Sequence, residues 1–256
     1  MTDGPTAKVS CVDVTKAYRD RRGDDVIAID SLSLEAGAGE FVSIVGPSGC
    51  GKSTLLYVVG GFLAPGSGQV LIDGKPVTGP GPERGVVFQE YSLFPWQTVL
   101  GNVAYGLRRT GLGRREARER AKEYLAMVDL HGVENRYPRE LSGGMKQRVA
   151  IARTLATDPD VLLMDEPLGA LDALTRAHLQ GEIEALWERT HKTVLFVTHA
   201  IEEAILLSDR IYVLSPRPAS VREIITVDLP RPRDREAVLA DPRYVEIHRT
   251  IWDLLK

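Results

Sequence analysis

The chain has 256 residues, 43% hydrophobic and 26% charged, a balance typical of a globular protein with room for one large domain or two small ones. A net charge of −3 and a sequence pI near 6.0 give no overall electrostatic case for binding nucleic acid or an anionic membrane surface. Two cysteines, Cys11 and Cys50, form no disulfide framework, which points to a reducing cytoplasm.

The start, "MTDGPTAKVS", lacks the basic-then-apolar pattern of a secretion signal, so none is expected. No apolar run approaches the ~20 residues that span a bilayer. If the protein works at a membrane, another polypeptide does the spanning.

The first decisive element is "FVSIVG" (41–46), an apolar run without polar alternation, as in strands buried on both faces of a parallel sheet. It leads into "GPSGCGKST" (46–54), which fits G-x-x-x-x-G-K-[ST] with Gly46, Gly51, Lys52 and Ser53 at the fixed positions. Glycines allow backbone N–H groups to turn inward around an anion, and the following helix aims its positive N-terminal end at the same spot. Lys52 suits the outer phosphates and Ser53 a magnesium ion. The competing reading is a glycine-rich turn with a chance lysine; the strand before it and apolar helix after it favour a nucleotide site. Cys50 inside this loop reads as a small tolerated residue rather than a redox switch.

Residues 65–79 then read as turn, strand and turn, and "GVVFQ" (85–89) as a strand ending in Gln89. Just after it, Tyr91, Leu93, Phe94 and Trp96 cluster around Pro95; they either plug a local core or line a surface groove. A charged helix follows, in which Arg114 to Arg120 alternate with Glu116 and Glu119, the pattern of a solvated face. "ELSGGMKQRVAIARTLA" (140–156) predicts a helix capped by Ser142, with Gly143 and Gly144 leaving amides exposed and Val149, Ala152 and Leu155 on an apolar stripe. Two more buried strands end in polar residues: "VLLMDE" (161–166) in Asp165 and Glu166, "TVLFVTH" (193–199) in Thr198 and His199. Helical patterns between such strands predict an α/β architecture, whose ligands bind outside the strands' carboxyl ends. Asp165 there suits a magnesium-associated carboxylate, Glu166 a base that polarises water, and His199 a γ-phosphate contact. The tail offers a strand, a proline-rich turn and an amphipathic helix with Tyr244, Ile247, Ile251 and Leu254 at helical spacing.

Together these motifs resemble the ATP-binding subunits of ABC transporters, nearly end to end. Walker A is "GPSGCGKST", comprising Gly46, Pro47, Ser48, Gly49, Cys50, Gly51, Lys52, Ser53 and Thr54. The Q-loop residue is Gln89, the signature "LSGGMKQR" (141–148), Walker B "VLLMDEP" (161–167), the D-loop "LGALD" (168–172) and the switch histidine His199. The resemblance implies an α/β phosphate-loop NTPase (RecA-like) core with a mainly parallel sheet, an N-terminal antiparallel β subdomain and an inserted α-helical subdomain. Within a single domain, 8–88 and 157–228 are expected to form the core with its antiparallel part, 89–156 the helical subdomain and 229–256 a helical tail.

It further implies ATP and Mg²⁺ as ligands. Ser53, Gln89 and Asp165 are expected at the metal, Glu166, Gln89 and His199 in catalysis, and Tyr18 stacked on adenine. Ser142, Gly143, Gly144 and Gln147 are expected on a partner's ATP, and Asp172 at the interface of two head-to-tail copies. The partners implied are that second copy, integral membrane permease subunits and, indirectly, a solute-binding protein, with no nucleic acid. The place implied is peripheral, on the cytoplasmic face of the inner membrane. "SLFPW", "LPRPRD", "DPRY" and "IWDLL" resemble the nitrate/sulfonate/taurine importers, and the chain is too short for the C-terminal β-domain of maltose-type relatives. In the same resemblance, a groove near the Q-loop receives a short helix of the membrane subunit. A soluble ABC-type ATPase is the rival; a phosphate-loop kinase would not explain "LSGGMKQR".

Overall fold

A computed structural model of the protein describes residues 7–19 and 23–256; residues 1–6, part of the stretch read for a secretion signal, lie outside the described residues. The chain divides into two compact units, one of Met1–Gly81, Leu163–Asp165 and His191–Lys256, the other of Pro82–Leu162 and Glu166–Thr190.

The first unit holds two sheets. In the first, β1 (Val9–Arg19) pairs antiparallel with β2 (Asp25–Ala36) and with β4 (Ser67–Ile72), and β5 (Lys75–Pro76) completes the order β2-β1-β4-β5. This is the antiparallel part expected near the start. In the second, β3 (Phe41–Val45) lies between β8 (Thr193–Thr198) and β9 (Arg210–Leu214), parallel to both. Phe41 pairs with Val194 and Val45 with Thr198, and every residue of β3 and β8 is buried. Continuous burial explains the unalternating apolar runs, since helices and loops cover both faces. Beyond β8 comes β7 (Val161–Asp165), and β10 (Val221–Thr226) pairs antiparallel with β9 at the other edge.

Helices α1 (Lys52–Val59), α6 (Ile201–Leu207), α7 (Arg235–Ala240) and α8 (Pro242–Leu255) complete this unit. Ile251 of α8 is fully buried against Val45, Ile205, Ile211 and Val213, with Tyr244, Ile247 and Leu254 packed around it. The predicted stripe of the tail is therefore a core stripe, and burying Ile251 alone contributes about 2 kcal/mol. The short helix α7 was not foreseen.

The second unit contains β6 (Arg84–Val87), which borders the start of β7, then α2 (Val99–Arg109), α3 (Arg114–Met127), α4 (Gly143–Leu155) and α5 (Ala173–Thr190). Strand β6 ends at Val87, so Gln89 stands two residues past the strand rather than on it. Helix α3 buries only Ala117, Ala121 and Leu125, one residue per turn, and leaves its arginines exposed, as the charge pattern implies. Compactness divides the chain differently from the expected 89–156 insert, because α5 falls with α2 to α4. No described helix is long and apolar enough to cross a membrane.

Candidate nucleotide site

The phosphate loop joins β3 to α1 in the first unit. Gly51 has φ +124°, and a Cβ there would lie 2.8 Å from the Ala28 carbonyl oxygen, so only glycine fits. Gly51 also starts α1 without any side-chain cap, leaving the helix's first amides to an outside acceptor. The Lys52 ammonium donates to the carbonyls of Gly46 (2.8 Å) and Pro47 (3.1 Å), folding the cation back over the loop it serves. Burial pushes the Cys50 thiol up, against an opposing effect of Lys52, and so favours the unreactive protonated form.

One residue on, the Ser53 hydroxyl donates to the Asp165 carboxylate at 2.8 Å. Asp165 is itself buried at the end of β7. Tyr57, one helical turn beyond Ser53, hydrogen-bonds the same carboxylate; burial, then the charge of Asp165, pushes its phenol up to about 12. Sequence reading missed Tyr57, although its i+4 spacing from Ser53 places both on one face of α1. The Tyr18 hydroxyl donates to Thr54 at 3.3 Å, which brings this half-exposed ring beside the loop. His199 is exposed just past β8 and borders a cavity of about 350 Å³ shared with Glu202, His248 and Trp252.

The remaining expected residues lie in the second unit. The Gln89 amide donates to Glu166 at 3.4 Å, a long bond, and Glu166 has φ +43°, a left-handed backbone uncommon outside glycine. Ser142 caps α4, its hydroxyl accepting from Met145 N at 3.3 Å. A Cβ on Gly144 would meet the Thr175 methyl at 2.6 Å, so glycine lets the start of α4 approach α5. Asp172 accepts from the Thr175 amide at 3.0 Å, and that bond holds its carboxyl below the usual range. Signature and D-loop are thus neighbours within this unit. Arg176 fixes the D-loop by donating to the Leu171 carbonyl at 2.8 Å.

Gln147 departs from its companions. It is 0% exposed, whereas Ser142 lies exposed, and neither amide atom has a hydrogen-bond partner among the described residues. In this single copy its side chain turns inward, away from the solvent that reaches Ser142.

Two further residues escaped the sequence reading. Buried Asn102 on α2 accepts from Phe94 N (2.8 Å) and donates to the carbonyls of Phe94 and Thr98, shaping the segment after Gln89. Arg153 on α4 donates to the carbonyls of Ser92 (2.6 Å) and Tyr91 (3.3 Å) and lies over the Phe94 ring. The signature helix is therefore tied directly to that segment. Within it Phe94 packs on Tyr105 and Trp96 with ring centroids 4.8 and 5.6 Å away, while Trp96 remains 71% exposed.

A family model described as "ABC transporter" matches residues 29–169. The chain is 47% identical over 253 residues to the taurine import ATP-binding protein TauB of Burkholderia thailandensis, covering 97% of each. It is 45% identical over 245 residues to the nitrate import ATP-binding protein NrtD of Synechococcus elongatus, covering 94% of this chain and 89% of that one. Among solved structures, a dimeric post-hydrolysis state of the ATP-binding cassette MJ0796 bound to ADP and Pi matches with a TM-score of 0.77. The identity there is 35%, covering 87% of this chain and 100% of that one. The chain belongs to the ABC transporter family, as an ATP-binding cassette. The expected α/β fold is the observed one, and the activity is the family's, ATP hydrolysis coupled to transport.

Proposed function

We propose that this chain is the ATP-hydrolysing motor of an importer for a small solute of the taurine, sulfonate or nitrate kind, peripheral to the cytoplasmic face of the cell membrane. Two copies close head to tail on ATP. Gly46 to Thr54 cradle the phosphates, with Lys52 exchanging its loop carbonyls for phosphate oxygens, and Tyr18 stacks on the base. Glu166 polarises water, and Gln89 and His199 orient around the γ-phosphate. Ser142, Gly143 and Gly144 meet the partner's nucleotide, and Asp172 lies at the contact.

Magnesium fits the donors present. Ser53 and buried Asp165 offer hard oxygens already 2.8 Å apart. The described residues contain no cluster of three or more histidine, cysteine or carboxylate groups placed to hold a metal, so water and phosphate oxygens would complete the few protein ligands, as this ion prefers. Ser53 and Asp165 would hold it, with Gln89 as a further ligand, and it would neutralise charge developing on the phosphates.

The observation that carries the transport reading is the exposed aromatic surface of Phe94, Trp96 and Tyr105 tied by Arg153 to the signature helix. Such a surface suits capture of a short helix from a permease subunit. Large apolar anchors contribute ~2 kcal/mol or more each. Phe94→Ala with Trp96→Ala is therefore expected to leave the protein folded and binding ATP, to lose co-purification with the permease from native membranes, and to abolish uptake. An unfolded variant would make the cluster core; full uptake would favour the rival, a soluble ABC-type ATPase.

A further inference from the structure

We propose that the turn joining α2 to α3, with the arginines on both sides of it, is a contact surface for the anionic headgroups of a lipid bilayer. The net charge of −3 hides a segregation: Arg108 to Lys122 contain seven cations and two carboxylates, so the rest of the chain is strongly acidic. The structure adds what the α3 pattern alone did not show. Arg108 and Arg109 end α2 and Arg114 and Arg115 begin α3, so the four-residue turn between them brings all four to one edge of the helical unit. All four, with Arg118 and Arg120, are exposed, and none is in an ion pair among the described residues. Of the two carboxylates, Glu119 is held by Lys122 at 3.0 Å.

The surroundings favour a bilayer over a free ion. Arg114, Arg115 and Arg118 line, with Glu119, an open depression of about 440 Å³, roomy enough for headgroup phosphates. The exposed stripe of α2 runs from Tyr105, at the aromatic surface, to Arg108 and Arg109 at the turn, so the cations lie beside that surface rather than within it. The inference rests on the reading that the Phe94, Trp96 and Tyr105 surface meets a permease subunit, which would hold this edge close to lipid. Arginines near an anionic leaflet then act additively, each raising partition about fivefold.

Flotation of the full chain with vesicles tests this directly. The protein is expected to float with phosphatidylcholine containing about a third phosphatidylglycerol, and not with phosphatidylcholine alone. Raising salt to ~0.5 M, where the screening length falls to about 4 Å, should release it. Arg114→Gln with Arg115→Gln should lower partition about 25-fold. Arg114→Lys with Arg115→Lys should keep most of it. ATP hydrolysis in solution should be unchanged in both variants, which also checks their folding.

Absence of flotation, equal flotation on neutral vesicles, or undiminished flotation of the glutamine variant would overturn the proposal. Loss of permease co-purification in that variant, with no vesicle binding by the wild type, would identify a protein partner and overturn it too. Phe94→Ala with Trp96→Ala is expected to float normally. Failure of the docking reading and failure of the lipid reading therefore appear in different assays.

Discussion

The Ser53 hydroxyl donates a 2.8 Å hydrogen bond to Asp165, joining the first turn of α1 to the end of β7 across 112 residues of sequence. Tyr57 reaches the same carboxylate from one turn further along α1. Two donors from one helix face therefore fix the orientation of a buried acid.

Removing one donor should loosen that acid without removing it. A hydrogen bond to a charged group contributes about 1.5 kcal/mol, roughly tenfold. Tyr57→Phe should raise the magnesium concentration needed for half-maximal ATP hydrolysis by about that factor, with magnesium-free nucleotide affinity unchanged. A magnesium titration checks it; an unaltered curve would mean Ser53 alone suffices.

Lys52 donates to the Gly46 and Pro47 carbonyls, so Lys52→Ala removes a loop brace and, in the proposed site, the nearest cation to the phosphates. ATP affinity should fall by roughly a hundredfold, about 3 kcal/mol. Calorimetric titration that finds normal affinity would take the phosphate loop out of the mechanism.

Glu166→Gln keeps shape and the contact to Gln89 but loses the base. Hydrolysis should fall by about 10² to 10⁴ while ATP still binds. Sedimentation with ATP should then show an accumulated dimer; a monomer throughout would contradict the two-copy sandwich.

Ser142 has an observed role as a cap and a proposed one at the partner's nucleotide. As the cap of α4 its hydroxyl contributes about 1 kcal/mol, so Ser142→Ala should lower the melting temperature modestly. Ser142→Arg should leave nucleotide affinity near normal and abolish hydrolysis, because the long side chain obstructs closure on the partner. Normal hydrolysis in that variant would reduce the serine to a cap.

Much of this was legible in the sequence because local rules and burial agreed. The runs ending at Val45, Asp165 and Thr198 were buried strands with polar residues at their carboxyl ends, and Ser142 capped its helix as its spacing required. The tail stripe of Tyr244, Ile247, Ile251 and Leu254 met the core it implied. What stayed hidden depended on distant partners. Tyr57 looks like an ordinary helix residue until β7 delivers Asp165 beside it. Arg153 and Asn102 bond backbone carbonyls, which carry no sequence signature. Gln147 sits within the signature, yet its helix turns it inward, a matter of helical phase that motif matching ignores.

Arg233, nearly buried in the tail, donates to the carbonyls of Ile205 (3.0 Å) and Ser208 (2.7 Å), fastening the far end of the helix that starts just after His199. A fastened helix holds the segment that follows His199, so in the proposed mechanism His199 would turn toward the nucleotide from a fixed base. The tail is thus the anvil for the switch: shortening it, or prying it off with a bulky fusion, should blunt ATP turnover without touching any residue that contacts ATP.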